Sequence, residues 1–170
     1  MAPNFPLGGE DMSSQDKATA TCYCGAVQLC FPTSGHDLID TFICNCTDCR
    51  KITASMFASN FIVRSSAVQH TRGQGKLTKF AQNKTIATGN TMENHFCSVC
   101  GTLMYRISSG ASDCLVMRIG TVDDFELHET KLKPRIEQFA KDRVAWCKGG
   151  GGIEQKHGNY YTLGADASKL

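Results

Sequence analysis

Three cysteines fall within six positions of the stretch FICNCTDCRK, residues 42–51: Cys44, Cys46 and Cys49. Two further pairs stand apart, Cys22 and Cys24 in a CxC, and Cys97 and Cys100 in a CxxC followed by Gly101. Thiolates at these spacings are ligands for zinc. The two pairs together supply four sulfurs, a closed tetrahedral set. The glycine lets the backbone come close, and amide N–H groups can point at the sulfurs. A saturated four-cysteine zinc offers substrate no position, so this set reads as structural, pinning the first strand to the middle of the chain.

The CxCxxC differs. Three thiolates on one zinc leave a fourth position for water or a substrate atom, as in catalytic zinc sites. Two other readings stay open: a second structural zinc completed by Cys30, Cys114, Cys147 or a histidine, or no metal at all. Cys30 and Cys114 sit inside apparent strands and read as buried free thiols. Cys147, after Trp146, is an outside candidate for a fourth ligand. Arg50 and Lys51 follow the third cysteine. They could hold a substrate carboxylate or screen an anionic zinc–thiolate cluster. For proton transfer, His95 and Glu93 are candidates, although an ordinary strand histidine is the blander reading. Asp48 reads as an exposed turn residue, and Asp123 and Asp124 in GTVDD read as turn formers.

The elements that must position these residues are strands. AVQLCF (26–31) alternates, with Val27, Leu29 and Phe31 on one face. FASNFIVR (57–64), LTKFA (77–81), TLMYRI (102–107) and CLVMRIG (114–120) are short, rich in β-branched or aromatic residues, and separated by turn formers. That texture predicts an all-β domain. The segment 135–147 predicts one short helix, with Ile136, Phe139, Ala140 and Val144 near a 3.6 period. Residues 1–18 read as a disordered leader, 19–147 as the folded domain, and 148–170, opening on four glycines, as a flexible tail.

The bulk properties bound the partners. A chain of 170 residues fits one domain with a real core. A net charge of +2 gives no argument for a nucleic-acid or membrane partner. No apolar run approaches a membrane span, and the N-terminus lacks the pattern of a secretory signal. Ten cysteines clustered as CxC and CxxC then point to metal in a reducing, cytoplasmic setting.

This pattern resembles the glutathione-dependent formaldehyde-activating family, which includes the centromere protein V group. The resemblance rests on the CxC at 22–24, the CxCxxC followed by Arg50-Lys51, HFCSVCGTLMYR (95–106) and GTVDD (120–124), and covers about residues 19–147. It implies a β-tent of stacked antiparallel sheets. It implies a structural zinc on Cys22, Cys24, Cys97 and Cys100 and a catalytic zinc on Cys44, Cys46 and Cys49. It further implies a carbon–sulfur lyase, with glutathione and formaldehyde as the named reactants. The sequence departs from the family pattern at Arg135, where many relatives carry a histidine, and at Asn45, where histidine is frequent. Those departures bear on the substrate more than on the metal.

The expected function is therefore a zinc-dependent carbon–sulfur lyase acting on the adduct of a thiol with a small carbonyl compound. One alternative is a relative recruited to activate another small molecule without glutathione. Another is a non-catalytic zinc module for protein or chromatin binding. The short leader, the near-neutral charge and the missing Lys/Arg tract count against that last reading.

Overall fold

The computed structural model describes residues 16–155. In chain order the strands are β1 (Lys17–Thr21), β2 (Gln28–Pro32), β3 (Leu38–Cys44), β4 (Ala58–Arg64), β5 (Gln69–Arg72) and β6 (Leu77–Gln82). They continue with β7 (Met92–Cys97), β8 (Leu103–Ser108), β9 (Ala111–Arg118), β10 (Ile136–Gln138) and β11 (Glu154–Gln155). Two short helices interrupt them, α1 (Thr47–Thr53) and α2 (Glu126–Glu129). The architecture is all-β, as the strand-and-turn texture predicts.

The strands form a three-stranded sheet, β1-β2-β5, and an eight-stranded sheet, β11-β10-β3-β4-β9-β8-β7-β6. Pairing is antiparallel except at β10, which runs parallel to both β3 and β11. Successive side chains of a strand point to opposite faces, so the large sheet has two chemically different sides. Phe61, Val63, Leu115, Met117 and Tyr105 join Ala20, Leu29 and Phe31 of the small sheet in the main core. The rings of Phe31 and Phe61 meet across the sheets with centroids 4.7 Å apart. The residues between them in sequence face the other way. Phe42, Ile62, Val116 and Ile136 pack in a second cluster that also contains Cys44, Cys49 and Cys114.

The two sheets are tied near Asp123. Its carboxylate accepts 2.6 Å hydrogen bonds from the hydroxyls of Thr19 and Thr21 on β1. Its own N–H donates to the carbonyl of Thr19. The GTVDD segment is thus a turn that clamps the first strand. Asp124 accepts the N–H of Glu126 as α2 begins.

The helix expected over 135–147 is not formed. Ile136–Gln138 is a fully buried strand, Phe139 takes a left-handed conformation (φ 53°), and Ala140–Asp142 makes a single 3-10 turn. Main-chain pairing with β3 supplies these residues with partners 94 positions away (Ile136 with Phe42), which local periodicity does not report. The glycine run, expected to open the flexible tail, closes over this strand. Gly149 has φ 74°, and a Cβ there would fall on Arg143 Nη1 and 2.6 Å from Glu137 Oε2. Residues 1–15 of the expected leader and 156–170 of the expected tail lie outside the described residues.

Candidate metal centres

At the end of β1 the chain turns through Cys22 and Cys24; at the end of β7 it turns through Cys97 and Cys100. The fold brings the four sulfurs within 4.8 Å of one another. Cys22 and Cys24 Sγ are 3.6 Å apart, and Cys24 and Cys97 Sγ 3.8 Å. Sulfurs sharing a tetrahedral zinc at ~2.3 Å sit about 3.8 Å apart, so the set fits that ion. They are too far apart for disulfides, and all four cysteines are free. Gly101 (φ 76°) lets the CxxC turn close with its N–H on the carbonyl of Cys97. The Val27 N–H donates to Cys22 Sγ at 3.2 Å. Burial pushes the Cys22 thiol up to about 12. Burial also opposes charge on Cys100, but the hydroxyl and N–H of Thr102 and the N–H of Cys24 outweigh it and bring that thiol down to about 6. A divalent cation bound by the four sulfurs would favour their thiolate forms.

The second cluster is local. Cys44 is the last residue of β3, Cys46 caps α1 with its sulfur accepting the Cys49 N–H at 3.4 Å, and Cys49 is buried in the first turn. Their sulfurs also lie within 4.8 Å of one another, with Cys44 and Cys46 3.4 Å apart. No histidine, cysteine or carboxylate among the described residues joins this group of three. Cys30, Cys114 and Cys147 lie outside both clusters. The protons are unevenly held. Cys44 and Cys46 donate hydrogen bonds to Cys49, and Arg106 and Arg118 add positive charge, so Cys49 sits well below the usual thiol range. The bond Cys44 gives to Cys46, then its bond to Cys49 and its burial, push Cys44 up. Cys46 gains from the bond given by Cys44, but its own bond to Cys49 and its burial prevail, pushing it up to about 11. The trio favours negative charge at one sulfur and would carry three in the presence of a divalent cation.

The flanks of the trio are polar and buried. Asn45, 1% exposed, donates through Nδ2 to Glu137 Oε1 at 2.8 Å. Arg143 Nη1 meets the other carboxylate oxygen at 2.8 Å, and the Glu137 side chain is fully enclosed. On the sheet face beside Cys49 stand Arg106 and Arg118. Arg106 Nη1 is 3.9 Å from Cys49 Sγ. Arg118 Nη1 donates to Asn60 Oδ1. Burial, and secondarily the charge of Arg106, bring Arg118 down to about 10, which leaves it a cation at neutral pH.

Other candidates fall elsewhere. Arg50 donates to the carbonyl of Asp142 at 3.3 Å and to Met56 Sδ at 3.8 Å, fastening α1 to the chain after β10. Lys51 is exposed. Asp48 accepts Gln82 Nε2 at 3.2 Å and the Thr85 hydroxyl, tying α1 to the end of β6. His95 bonds Glu93 at 2.8 Å and stacks on Tyr105, with centroids 4.4 Å apart. It shares the main-core face with Cys97, so it stands on the side of the sheet away from the trio. A cleft of about 410 Å³ lined by Leu77, Lys79, His95 and Tyr105 opens on that same side. Arg135 pairs with the buried Asp40. Sequence reasoning missed Arg106, Arg118, Asn60 and Glu137. The available signal was a single arginine inside each of two apolar strands, TLMYRI and CLVMRIG, where a buried charge is rare.

The molecule is an all-β domain with one set of four thiols and one of three that could each hold a metal ion. The family model for the glutathione-dependent formaldehyde-activating enzyme matches residues 17–142, and the chain belongs to that family. No curated protein matches. Among solved structures, a Rhodobacter sphaeroides protein is similar at 21% identity and a TM-score of 0.47, over 62% of this chain and 88% of that one. No helix among the described residues is long and apolar enough to cross a membrane.

Proposed function

We propose that this chain is a zinc-dependent carbon–sulfur lyase acting on the adduct of a glutathione-like thiol with a small carbonyl compound such as formaldehyde. The observation that carries this reading is the trio: three converging sulfurs with no fourth ligand among the described residues. Cys44, Cys46 and Cys49 would hold the catalytic ion, and Cys22, Cys24, Cys97 and Cys100 the structural one. The catalytic ion would stabilise a substrate thiol as its thiolate and polarise a carbonyl oxygen. Three protein thiolates soften its Lewis acidity, which favours a sulfur partner over water activation. The chain's own contribution is placement. The Cys49 N–H holds Cys46, the Asn45–Glu137–Arg143 chain fixes the turn between Cys44 and Cys46, and Arg106 brings positive charge to Cys49. Arg50 and Lys51 on α1 add positive charge for a substrate carboxylate at the outer side. Membership of an enzyme family supports catalysis; the reactants named here are our reading of the site.

The test is zinc per chain and glutathione binding, measured on the wild type and on Cys46→Ser. The expected result is two zincs in the wild type, and one in a variant that stays folded and no longer binds glutathione. One zinc in the wild type, or a variant that unfolds, makes the trio structural or idle and removes the lyase reading.

A further inference from the structure

Five buried side-chain nitrogen and oxygen atoms have no hydrogen-bond partner among the described residues: Asn94 Oδ1, Arg106 Nε, Arg118 Nε and Nη2, and Gln138 Nε2. Register places all four residues on one face. Arg106 pairs across strands with Asn94 and with Val116, Arg118 with Asn60, Asn60 with Phe42, and Gln138 with Cys44. These are the positions that share the trio's side of the large sheet. Buried polar groups in folded proteins are almost always satisfied, so a cluster of unpaired ones points to a place where a polar ligand could bind.

The pattern specifies the partner. Four of the five atoms are N–H donors and one is an acceptor. Water brings donors and acceptors in equal number, whereas a carboxylate brings acceptors only. On Arg118 the Nη1 corner is engaged by Asn60, which leaves Nε and Nη2 unpaired. Those two nitrogens form the edge of a guanidinium that takes both oxygens of a carboxylate in parallel. Arg118 is 6% exposed, so its orientation is set by packing. Charge agrees. Three thiolates and one divalent cation sum to −1, and Arg106 and Arg118 contribute +2. One negative charge would balance the site.

We propose that Arg118, assisted by Arg106, is a carboxylate receptor beside the cysteine trio, so that the substrate carries a carboxylate on either the thiol or the carbonyl component. This rests on the trio being the reaction site. It moves the main anion contact from Arg50 and Lys51 on α1 to the sheet face itself.

The experiment is calorimetric binding to the zinc-loaded protein, using acid and ester pairs. Glutathione against its diethyl ester reports a carboxylate on the thiol; glyoxylate against methyl glyoxylate reports one on the carbonyl. In at least one pair the acid is expected to bind roughly tenfold tighter or more in the wild type. Arg118→Gln is expected to abolish that preference while keeping the zinc content and leaving ester binding in place. Arg118→Lys keeps the charge and loses the paired donors, so it is expected to lose most of the preference too, and it serves if the glutamine variant does not fold. Equal binding of acid and ester in both wild-type pairs overturns the proposal, as does a preference that survives undiminished in either variant. The outcome is separable from the lyase reading. A protein that prefers acids through Arg118 but never makes or breaks a carbon–sulfur bond removes the lyase reading alone. A protein that turns over acid and ester alike with equal affinity removes the receptor alone.

Discussion

Glu137 shows how much of the site depends on single enclosed charges. Its carboxylate takes the Asn45 amide on one oxygen and Arg143 on the other, at 2.8 Å each. Removing it leaves a half-buried guanidinium and a buried amide without their acceptor. Glu137→Ala is expected to cost about 3–5 kcal/mol, read as a lowered urea midpoint. Glu137→Gln keeps the shape and an acceptor for Asn45, so its loss should be smaller. This network explains why Asn45 serves between two cysteines: it is a short side chain that can reach back to β10. None of it was legible in sequence, because Asn45 and Glu137 are 92 positions apart. The thiols were legible, since CxC, CxxCG and CxCxxC carry their meaning in local spacing. Arg106 and Arg118 lay between these cases. Each is a visible anomaly in an apolar strand, but only the register puts them on the same side as the trio.

At the scale of elements, the expected strands at 26–31, 57–64, 77–81, 102–107 and 114–120 correspond to β2, β4, β6, β8 and β9. The first alternates and the others are short runs rich in β-branched or aromatic residues between turn formers, and both are local signals. β3 was hidden because Asp40 and Thr41 interrupt its apolar pattern, and the Arg135 that satisfies Asp40 comes much later. The strand at 136–138 read as helix for the same reason: its partner is β3, not its own next turn. The glycine run that follows has a structural use at Gly149. Ala at 149 would need a left-handed backbone and would press its Cβ onto the Arg143–Glu137 pair. Gly149→Ala is expected to destabilise by about 1–3 kcal/mol, measured by denaturant unfolding. Equal stability would mean that the segment moves aside at no cost.

At the scale of the molecule, the two sheets meet at His70 as well as at the core. His70, on β5 of the small sheet, bonds the Tyr105 hydroxyl of the large one at 3.3 Å. Burial, and then the nearby His95, hold His70 below its ordinary value of 6.5. A histidine with a depressed folded value binds fewer protons folded than unfolded. Its contribution is therefore present above pH 6.5 and lost as pH falls from 6.5 through the folded value. Urea midpoints at about pH 8 and about pH 5.5 should show a smaller acid loss in His70→Gln than in the wild type. Equal losses would assign the acid sensitivity to other groups.

The two cysteine clusters also differ in when they can exist. Cys24 and Cys97, whose sulfurs meet in the four-thiol set, are 73 positions apart, whereas the trio spans a single strand end and the first turn of a helix. Closing a long loop costs more chain entropy than closing a short one. It also requires that the later residues have been made. On a ribosome the trio is complete while β7 is still unsynthesised, and the four-thiol set can close only after Cys100 has emerged. The nascent chain therefore presents its three-thiol set before it owns the clasp that joins its sheets.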